Sequence, residues 1–349
     1  MLQLLSQMSK DELVGTDAAV STCAASRGKP ELSVVLVCDR VDTIARTLWH
    51  LRHQTAVDRL ELVVVVTRAA GLSHEALGPE PFAAVRLMEI DDLSSLSRAW
   101  TCGVRAATGP VLAFGESHCY PTPTWAEALI AAHRGPWAAV GPGMTNANPD
   151  TSLSWAALLI DYGPWLEPAR AEARDDLPGH NSSYKTSVLS AYDRRLEGLL
   201  EAETLLHADL RAQGHRLRLE PAARVAHLNM SRMRSWLVER LAAGRRFAGA
   251  RARGWKPGRR ALYALGAPLI PLVRAVRLVP DWRRCAAVGD LPALTLPVLG
   301  LGLMISAAGE FLGYVLGSGD SVRLLSAMEL HKERHLAAGD RAPAVPRTK

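Results

Sequence analysis

The sequence predicts an α/β protein in which a mostly parallel sheet is flanked by helices and followed by amphipathic and hydrophobic C-terminal helices. Through residues 31–230, continuous apolar runs rich in β-branched residues alternate with segments of helical spacing. This alternation is typical of βαβ units whose strands are buried on both faces. The last third of the chain instead combines clustered arginines with long apolar stretches. A chain of 349 residues with 48% hydrophobic side chains can bury a large core.

The predicted elements follow one another regularly along the chain. Strands are expected at residues 33–38, 60–66, 84–90, 110–114 and 137–140, and helices at residues 43–54, 94–107, 125–133 and 152–162. Residues 141–149 are expected to form a Gly/Pro/Asn-rich loop, residues 195–212 a helix that ends at Gly214, and residues 216–219 and 223–226 two closing strands. Residues 1–30 are expected to be a poorly ordered leader.

The basic character of the chain is concentrated in one segment. Residues 232–284 contain fourteen Arg or Lys side chains and only two acidic ones. Such a block predicts binding to nucleic acid or to anionic lipid. Residues 291–316 then carry a single charge, Glu310, and are longer than the roughly 20 residues that cross a bilayer. We therefore expect an anionic membrane surface as the partner and no nucleic acid.

Residues 231–325 are accordingly predicted to be basic amphipathic and hydrophobic helices that associate with the membrane, followed by a polar tail at 326–349. The alternative is a helical cap whose apolar faces are buried by protein. Arginines beside the α/β domain follow the positive-inside rule, which predicts that residues 31–230 lie on the cytoplasmic face of the cell membrane. Whether residues 291–316 span the bilayer or only insert into it is left open by Pro292, Pro297 and Glu310.

Several function classes are disfavoured by missing motifs. No GxGxxG follows the first strand and no GxxxxGK[ST] occurs, which disfavours a dinucleotide-dependent dehydrogenase and a P-loop NTPase. The five cysteines are scattered and include no CxxC pair. This pattern argues against a disulfide framework or a zinc knuckle and predicts a reducing compartment.

Polar residues follow several of the predicted strands, where ligands bind in open parallel sheets. Asp39 follows the first strand, Thr67 the second, and Glu116 and His118 the fourth. Glu116 and His118 are two residues apart on a turn, so both can face one point and hold a divalent ion against a diphosphate. A solvated turn is the alternative interpretation of this pair.

The order of several segments carries a family resemblance. They are residues 31–37 (ELSVVLV), 53–55 (HQT), 60–66 (LELVVVV), 98–109 (RAWTCGVRAATG), 114–125 (FGESHCYPTPTW), 177–185 (LPGHNSSYK), 201–203 (EAE) and 221–227 (PAARVAH). In this order they resemble the family 2 glycosyltransferases, over roughly residues 31–230. The resemblance implies a GT-A fold and an inverting enzyme that uses a nucleotide-diphosphate sugar as donor.

The resemblance also implies metal and nucleotide contacts. The metal-binding DxD motif of the family falls on Glu116 and His118, and its metal-linked histidine near the domain end falls on His227. Asp39 lies near the position that contacts the nucleotide base, and Thr67 stands where the family usually has an acidic residue. Because His118 replaces the second Asp of the motif, the preference for Mg²⁺ or Mn²⁺ and the strength of binding are expected to change.

The resemblance places the catalytic base at Glu203, with Glu201 as its rival on the other face of the same helix. Direct displacement at an anomeric carbon needs a base that accepts the proton of the acceptor hydroxyl and an electrophile that stabilises the departing diphosphate. His180 and Asn181 are expected to line the diphosphate or acceptor pocket.

The leading hypothesis is a membrane-associated glycosyltransferase of polysaccharide biosynthesis that acts on a lipid-linked or polysaccharide acceptor. One alternative is a sugar-phosphate nucleotidyltransferase, but the first strand is not followed by the Gly-rich basic loop that such an enzyme needs. The other alternative is a catalytically silent nucleotide-sugar-binding scaffold, which the altered DxD motif permits.

Overall fold

The computed structural model describes residues 19–22, 28–73, 75–77, 81–289 and 291–340. The strands in these residues are β1 (Ala19–Thr22), β2 (Leu32–Val37), β3 (Leu60–Thr67), β4 (Ala84–Ile90), β5 (Val111–Phe114), β6 (Cys119–Pro121), β7 (Ala139–Asn146), β8 (Glu172–Arg174), β9 (Ser183–Lys185) and β10 (Leu217–His227). The helices are α1 (Val41–Arg52), α2 (Leu96–Ala106), α3 (Trp125–His133), α4 (Ser152–Tyr162), α5 (Thr186–Ser190), α6 (Leu196–Leu200), α7 (Glu203–Ala212), α8 (Met233–Arg251), α9 (Pro257–Gly266), α10 (Ile270–Ala286), α11 (Thr295–Leu316) and α12 (Ser321–Leu330).

The strands form one curled sheet in the order β1-β4-β3-β2-β5-β9-β7-β10-β6, with β8 paired to β10. The pairs β4–β3, β3–β2 and β2–β5 are parallel, as is β7–β10. Short antiparallel strands, among them β9 and β6, complete the sheet. The predicted fold class, a sheet flanked by helices with further helices at the C-terminus, is confirmed.

Strands β2 to β5 begin and end within one or two residues of their predicted bounds. The side chains of β2, β3 and β5 are almost entirely buried, so both faces of these strands require apolar residues and the sequence signal is strong. Residues 19–22 of the predicted leader form the edge strand β1, paired antiparallel with β4. Residues 1–18 and 23–27 lie outside the described residues.

Three local predictions for residues 141–226 were wrong, two of them for strands and one for a helix. Residues 141–146, predicted as a loop, continue β7 because they pair with β10. The two predicted closing strands are one strand, β10, with an irregularity between Glu220 and Arg224. The predicted helix at 195–212 is broken into α6 and α7. Turn-forming residues misled the first two predictions, because long-range pairing overrode their local preference.

Helices α8 and α11 pack with their backbones in contact. A Cβ atom added to Gly309 would lie 2.1 Å from the carbonyl oxygen of Leu241, and one added to Gly244 would lie 2.1 Å from that of Ser306. On the same interface, Trp236 of α8 is buried against Gly302. The apolar residues of α11 therefore form part of the protein core. The arginines of α8 are not all exposed on one side of the helix, since Arg240, for example, is buried in ion pairs.

A valine at Gly309 would overlap the Leu241 carbonyl, which cannot shift unless the two helices separate. We therefore expect the substitution to destabilise the protein by about 3 kcal/mol or more. Thermal unfolding of Gly309→Val followed by circular dichroism measures the loss. Gly300→Ala is the matched control on the same helix: nothing lies within 4 Å of its added Cβ, so stability should be unchanged or higher by up to about 1 kcal/mol. Equal melting temperatures of both variants would contradict this packing.

An apolar surface is exposed on the outer side of the C-terminal helices. Pro257–Ala286 and Thr295–Leu316 are each long and apolar enough to cross a membrane, and only 11% of the apolar window of the first is buried, against 50% of the second. Large side chains of α9 and α10 face outward, including Leu265 at 79% exposure and Leu272 at 66%. The apolar stretches predicted from the sequence are thus part core and part exposed surface.

The C-terminal segment that the structure describes returns to the carboxyl edge of the sheet. The backbone N–H of Leu96 donates to Ser326 Oγ of α12 at 3.2 Å, and Leu330 is buried in the same apolar cluster as Val37. His331 Nε2 lies 3.0 Å from Asp39 Oδ2. Residues within the predicted polar tail therefore pack onto the edge of the sheet where ligands were expected.

Candidate active site

A cavity of about 210 Å³ lies beside the carboxyl ends of β5 and β10. Its lining includes Glu116, His180, Glu203 and His227, together with Glu329 and Lys332 from the C-terminal segment. His118 and Asn181 contact Glu116 directly, His118 Nε2 at 3.8 Å and Asn181 Nδ2 at 2.7 Å from Oε2. The structure thus brings together six of the eight residues that the sequence predicted for the site.

Asp39 and Thr67 are the two predicted site residues that neither line this cavity nor contact Glu116. Asp39 follows β2 and is paired with His331. Thr67 ends β3 and is half-buried. Both remain at the carboxyl edge of the sheet, at strands on the far side of β5 from β10.

A potential metal site is formed by Glu116, His118, Cys119 and His227, whose ligand atoms all lie within 4.8 Å of one another. The pairing of β6 with β10 assembles it, because the register places His227 opposite Cys119. The N–H of Leu228 also donates to the carbonyl of His118 at 3.0 Å. Two segments that are distant in the chain are thereby held in fixed relation.

The protonation states of the two histidines fit metal coordination. His118 Nε2 is buried and makes no hydrogen bond of suitable geometry among the described residues, although Glu329 Oε2 lies 3.3 Å away. Burial lowers the pKa of His118 to about 3, so the ring is neutral at pH 7. His227 Nδ1 lies 2.8 Å from Asn229 Oδ1, which assigns the proton to Nδ1 and leaves a lone pair on Nε2. Neutral imidazoles with a fixed tautomer are the form in which histidine binds metals.

Glu116 supplies the negative charge of this cluster. Burial alone would favour its neutral acid, but attraction to His118, His180 and His227 in their protonated forms outweighs burial and lowers the pKa of Glu116 to about 2. Burial raises the pKa of the Cys119 thiol well above its usual value, and its S–H donates to Glu116 Oε2 at 3.0 Å. Two imidazoles and one carboxylate suit Mn²⁺ or Zn²⁺ better than Mg²⁺, which prefers oxygen ligands.

Glu203 is the first residue of α7 and forms a buried ion pair with His180 Nδ1. His180 lies on the turn after Pro178, where Gly179 has no Cβ; an added one would lie 2.8 Å from the Glu203 carboxyl carbon. The ring of Trp100 packs 4.2 Å from that of His180. Glu201, the rival candidate, instead pairs with Arg253 at 2.7 Å. The carboxylate that faces the cavity is therefore that of Glu203.

The buried pair should give stability a defined pH window. Burial favours neutral forms of both groups, but attraction to Glu203 raises the pKa of His180, and attraction to His180 lowers the pKa of Glu203. The His180 contribution is fully present below its unfolded value of 6.5 and is lost as pH rises through the folded pKa. The Glu203 contribution is present above its unfolded value of 4.5 and is lost as pH falls through the folded pKa.

We therefore expect the difference in melting temperature between the unaltered chain and His180→Gln to be largest between pH 4.5 and 6.5 and to shrink on either side. Thermal melts in a series of buffers measure it. A difference that grows steadily above pH 8 would contradict the ionic pair.

Sequence reasoning missed three residues of the site. Cys119 is adjacent to His118 and could have been suspected from its position. Glu329 and Lys332 could not have been predicted, since their neighbours in the sequence do not distinguish them from other charged residues of the predicted tail. Glu329 Oε2 lies 3.3 Å from His118 Nε2, and Lys332 Nζ lies 2.9 Å from the Glu329 carboxylate.

Glu203, paired with His180, lies beside a potential metal site at the carboxyl edge of this sheet. This arrangement agrees with a comparison to known families. Residues 33–199 match the model of glycosyl transferase family 2. This match supports glycosyltransferase activity, and the family generally uses nucleotide-sugar donors and often a divalent metal. The nucleotidyltransferase and silent-scaffold alternatives are not favoured.

The family 2 segment contains Glu116, His118, His180 and Asn181 but ends before Glu203. His227 and the C-terminal helices also lie beyond it. No curated protein matches the chain.

Proposed function

We propose that the protein is a membrane-associated, inverting glycosyltransferase that moves a sugar from a nucleotide-diphosphate donor to a lipid-linked or glycan acceptor in polysaccharide biosynthesis. The observation that carries this proposal is the cavity lined by Glu203 together with Glu116 and His227 of the potential metal site. An inverting transfer needs these two groups on opposite sides of one anomeric carbon.

In this proposal Glu203 accepts the proton of the acceptor hydroxyl while the hydroxyl oxygen attacks the anomeric carbon. The bond from that carbon to the diphosphate oxygen breaks, and its electron pair leaves with the nucleoside diphosphate. His180 orients the Glu203 carboxylate through their ion pair. Trp100 packs on the His180 ring, and the absence of a Cβ at Gly179 leaves room for the Glu203 side chain. Inversion follows because attack and departure occur on opposite faces of the sugar.

Glu116, His118 and His227 would hold a divalent metal, with Glu329 close enough to add an oxygen ligand. When bound, the metal neutralises negative charge that develops on the departing diphosphate. Asn181 holds the Glu116 carboxylate in position with its amide N–H.

The donor reaction can be tested with the complete chain. Purified protein is incubated with a panel of nucleotide sugars, with and without Mn²⁺, and the released nucleoside diphosphate is measured. We expect release from one or a few donors, increased by Mn²⁺. No release from any donor, with donor binding also absent, would refute the proposed activity.

The proposal also places the protein on the cytoplasmic face of the cell membrane, through the exposed apolar surface of α9 and α10 and the arginines around it. We expect the full chain to sediment with anionic vesicles and to resist release by high salt. Because burial of each leucine contributes about 1.5–3 kcal/mol, the double variant Leu265→Asp/Leu272→Asp should weaken partition more than about 100-fold.

Leu324→Asp is the control for this measurement, since Leu324 is an exposed leucine of α12 outside the proposed membrane surface. Its partition into vesicles should be unchanged. Equal loss of partition in both variants, or none in the double variant, would refute this membrane surface.

A further inference from the structure

A second and larger cavity, of about 900 Å³, adjoins the catalytic cavity on the side of the C-terminal helices. The two share lining residues, among them Asp161, Thr204, Arg240 and Arg246. Thr204 directly follows Glu203, so the larger cavity begins next to the proposed base. Its volume falls within the range of about 300–1,000 Å³ typical of small-molecule sites.

The outer wall of this cavity is apolar and open. Leu262, Leu269 and Val273 line it and are at the same time exposed, at 67%, 64% and 46%. They belong to the same helices, α9 and α10 with the turn between them, that form the proposed membrane surface. The cavity therefore joins the apolar surface to the catalytic cavity.

An arginine without an ion-pair partner among the described residues lies at the inner end of the cavity. Arg246 lines both cavities, and its Nε is buried without a hydrogen-bond partner. Its guanidinium forms no ion pair within the described residues, whereas the neighbouring Arg240 is held by Asp161 and Glu239. A partly buried guanidinium without a hydrogen-bond partner lowers the stability of the protein, and a bound anion would supply the missing partner.

Charge also favours an anion at the rim. Arg277 of α10 lines the cavity, and like Arg246 it makes no ion pair in the described part of the chain. The cavity thus combines uncommitted arginines with an apolar wall that reaches the surface. This combination is complementary to an amphiphile whose head group is a phosphate or diphosphate and whose tail is a hydrocarbon chain.

We propose that this cavity binds the acceptor, a lipid whose phosphate or diphosphate carries the accepting sugar. The phosphate lies at Arg246, the hydrocarbon chain lies along Leu262, Leu269 and Val273, and the sugar hydroxyl faces Glu203. This inference rests on the proposed function and narrows its acceptor from lipid-linked or glycan to lipid-linked. An ordinary phospholipid presents a phosphodiester with a single negative charge, whereas a diphosphate carries more negative charge for Arg246 and Arg277 to pair with, so the phospholipid should bind less tightly.

The test uses farnesyl diphosphate as the probe, with the full chain in an uncharged detergent and binding followed by calorimetry. Farnesol and inorganic pyrophosphate are the two fragment controls, and phosphatidylglycerol is the competitor. We expect farnesyl diphosphate to bind at least about tenfold more tightly than either fragment and to resist displacement by phosphatidylglycerol. Equal binding of pyrophosphate, or ready displacement by phosphatidylglycerol, would overturn the proposal.

Two pairs of variants locate the site. Arg246→Gln should weaken farnesyl diphosphate binding about 10- to 100-fold, because a hydrogen-bonded charge contributes more than a neutral group, whereas Arg283→Gln on the exposed side of α10 should not. Val273→Trp fills the cavity and should abolish binding, whereas Leu272→Trp, one residue away and outside the lining, should not. Binding that survives both cavity variants would overturn the assignment.

Donor release measured on the same unaltered preparation separates the two proposals. If donor is consumed but farnesyl diphosphate does not bind, the acceptor site is wrong and the glycosyltransferase proposal stands. If farnesyl diphosphate binds as expected but no donor is bound or consumed, the cavity is a lipid site and the proposed activity fails.

Discussion

Glu203→Gln is expected to lower kcat by about 10²–10⁴ while donor affinity stays unchanged, because the amide keeps the size of the side chain but cannot accept a proton. The carboxylate lies in the cavity and is oriented by His180, so its loss should affect proton transfer rather than donor binding. Steady-state kinetics with the preferred donor, together with donor titration, separate the two effects.

Glu201→Gln is the matched control. It makes the same chemical change two residues away, on a carboxylate engaged with Arg253, and partly exposed pairs of this kind contribute about 0–1 kcal/mol. Its kcat should stay within about twofold of the unaltered chain. The reverse pattern, with Glu201→Gln inactive and Glu203→Gln active, would show that Glu201 is the base.

Glu116→Ala is expected to abolish turnover and to weaken Mn²⁺ binding by more than about 100-fold. The substitution removes the one carboxylate in the Glu116–His118–Cys119–His227 cluster, and loss even of outer partners of metal ligands typically costs about 10–100-fold in affinity. Electron paramagnetic resonance of added Mn²⁺ measures binding directly and independently of turnover. Because two of the ligands are imidazoles, Mn²⁺ should support activity better than Mg²⁺.

Asp91→Ala controls for general loss of negative charge, since Asp91 is an exposed carboxylate that follows β4 at the same edge of the sheet. It should bind Mn²⁺ as the unaltered chain does. Circular dichroism distinguishes loss of the site from loss of fold. A folded Glu116→Ala protein with unchanged Mn²⁺ binding and kinetics would remove Glu116 from the metal site.

Local sequence signals were sufficient for the parallel half of the fold. Strands such as β2 and β3 are buried on both faces, and this environment requires a continuous apolar run that can be recognised without a structure. The pairing of Glu116 with His118 was equally local, because two residues on one turn are close whatever the rest of the chain does. The strands β6 and β9 are only three residues long and carry no period to recognise.

The membrane prediction shows a different limit. Length and composition marked residues 291–316 as apolar, but they do not say which neighbour covers an apolar side chain. In the structure, α11 is half-buried because glycines such as Gly309 bring its backbone against α8. The exposed apolar surface lies mainly on α9 and α10, which the interrupting prolines and arginines had made less conspicuous.

The sequence by itself determined the βαβ half of the sheet and the position of Glu116 and His118, two residues apart, after one of its strands. Only the tertiary structure shows which of Glu203 and Glu201 faces the cavity, since the break between α6 and α7 directs the first carboxylate into the cavity and the second toward Arg253. Only the tertiary structure shows that His227 lies opposite Cys119 and that Glu329 contacts His118. These contacts join segments distant in the chain, and their geometry depends on strand register and helix packing, which leave no periodic signal in the residues that make them.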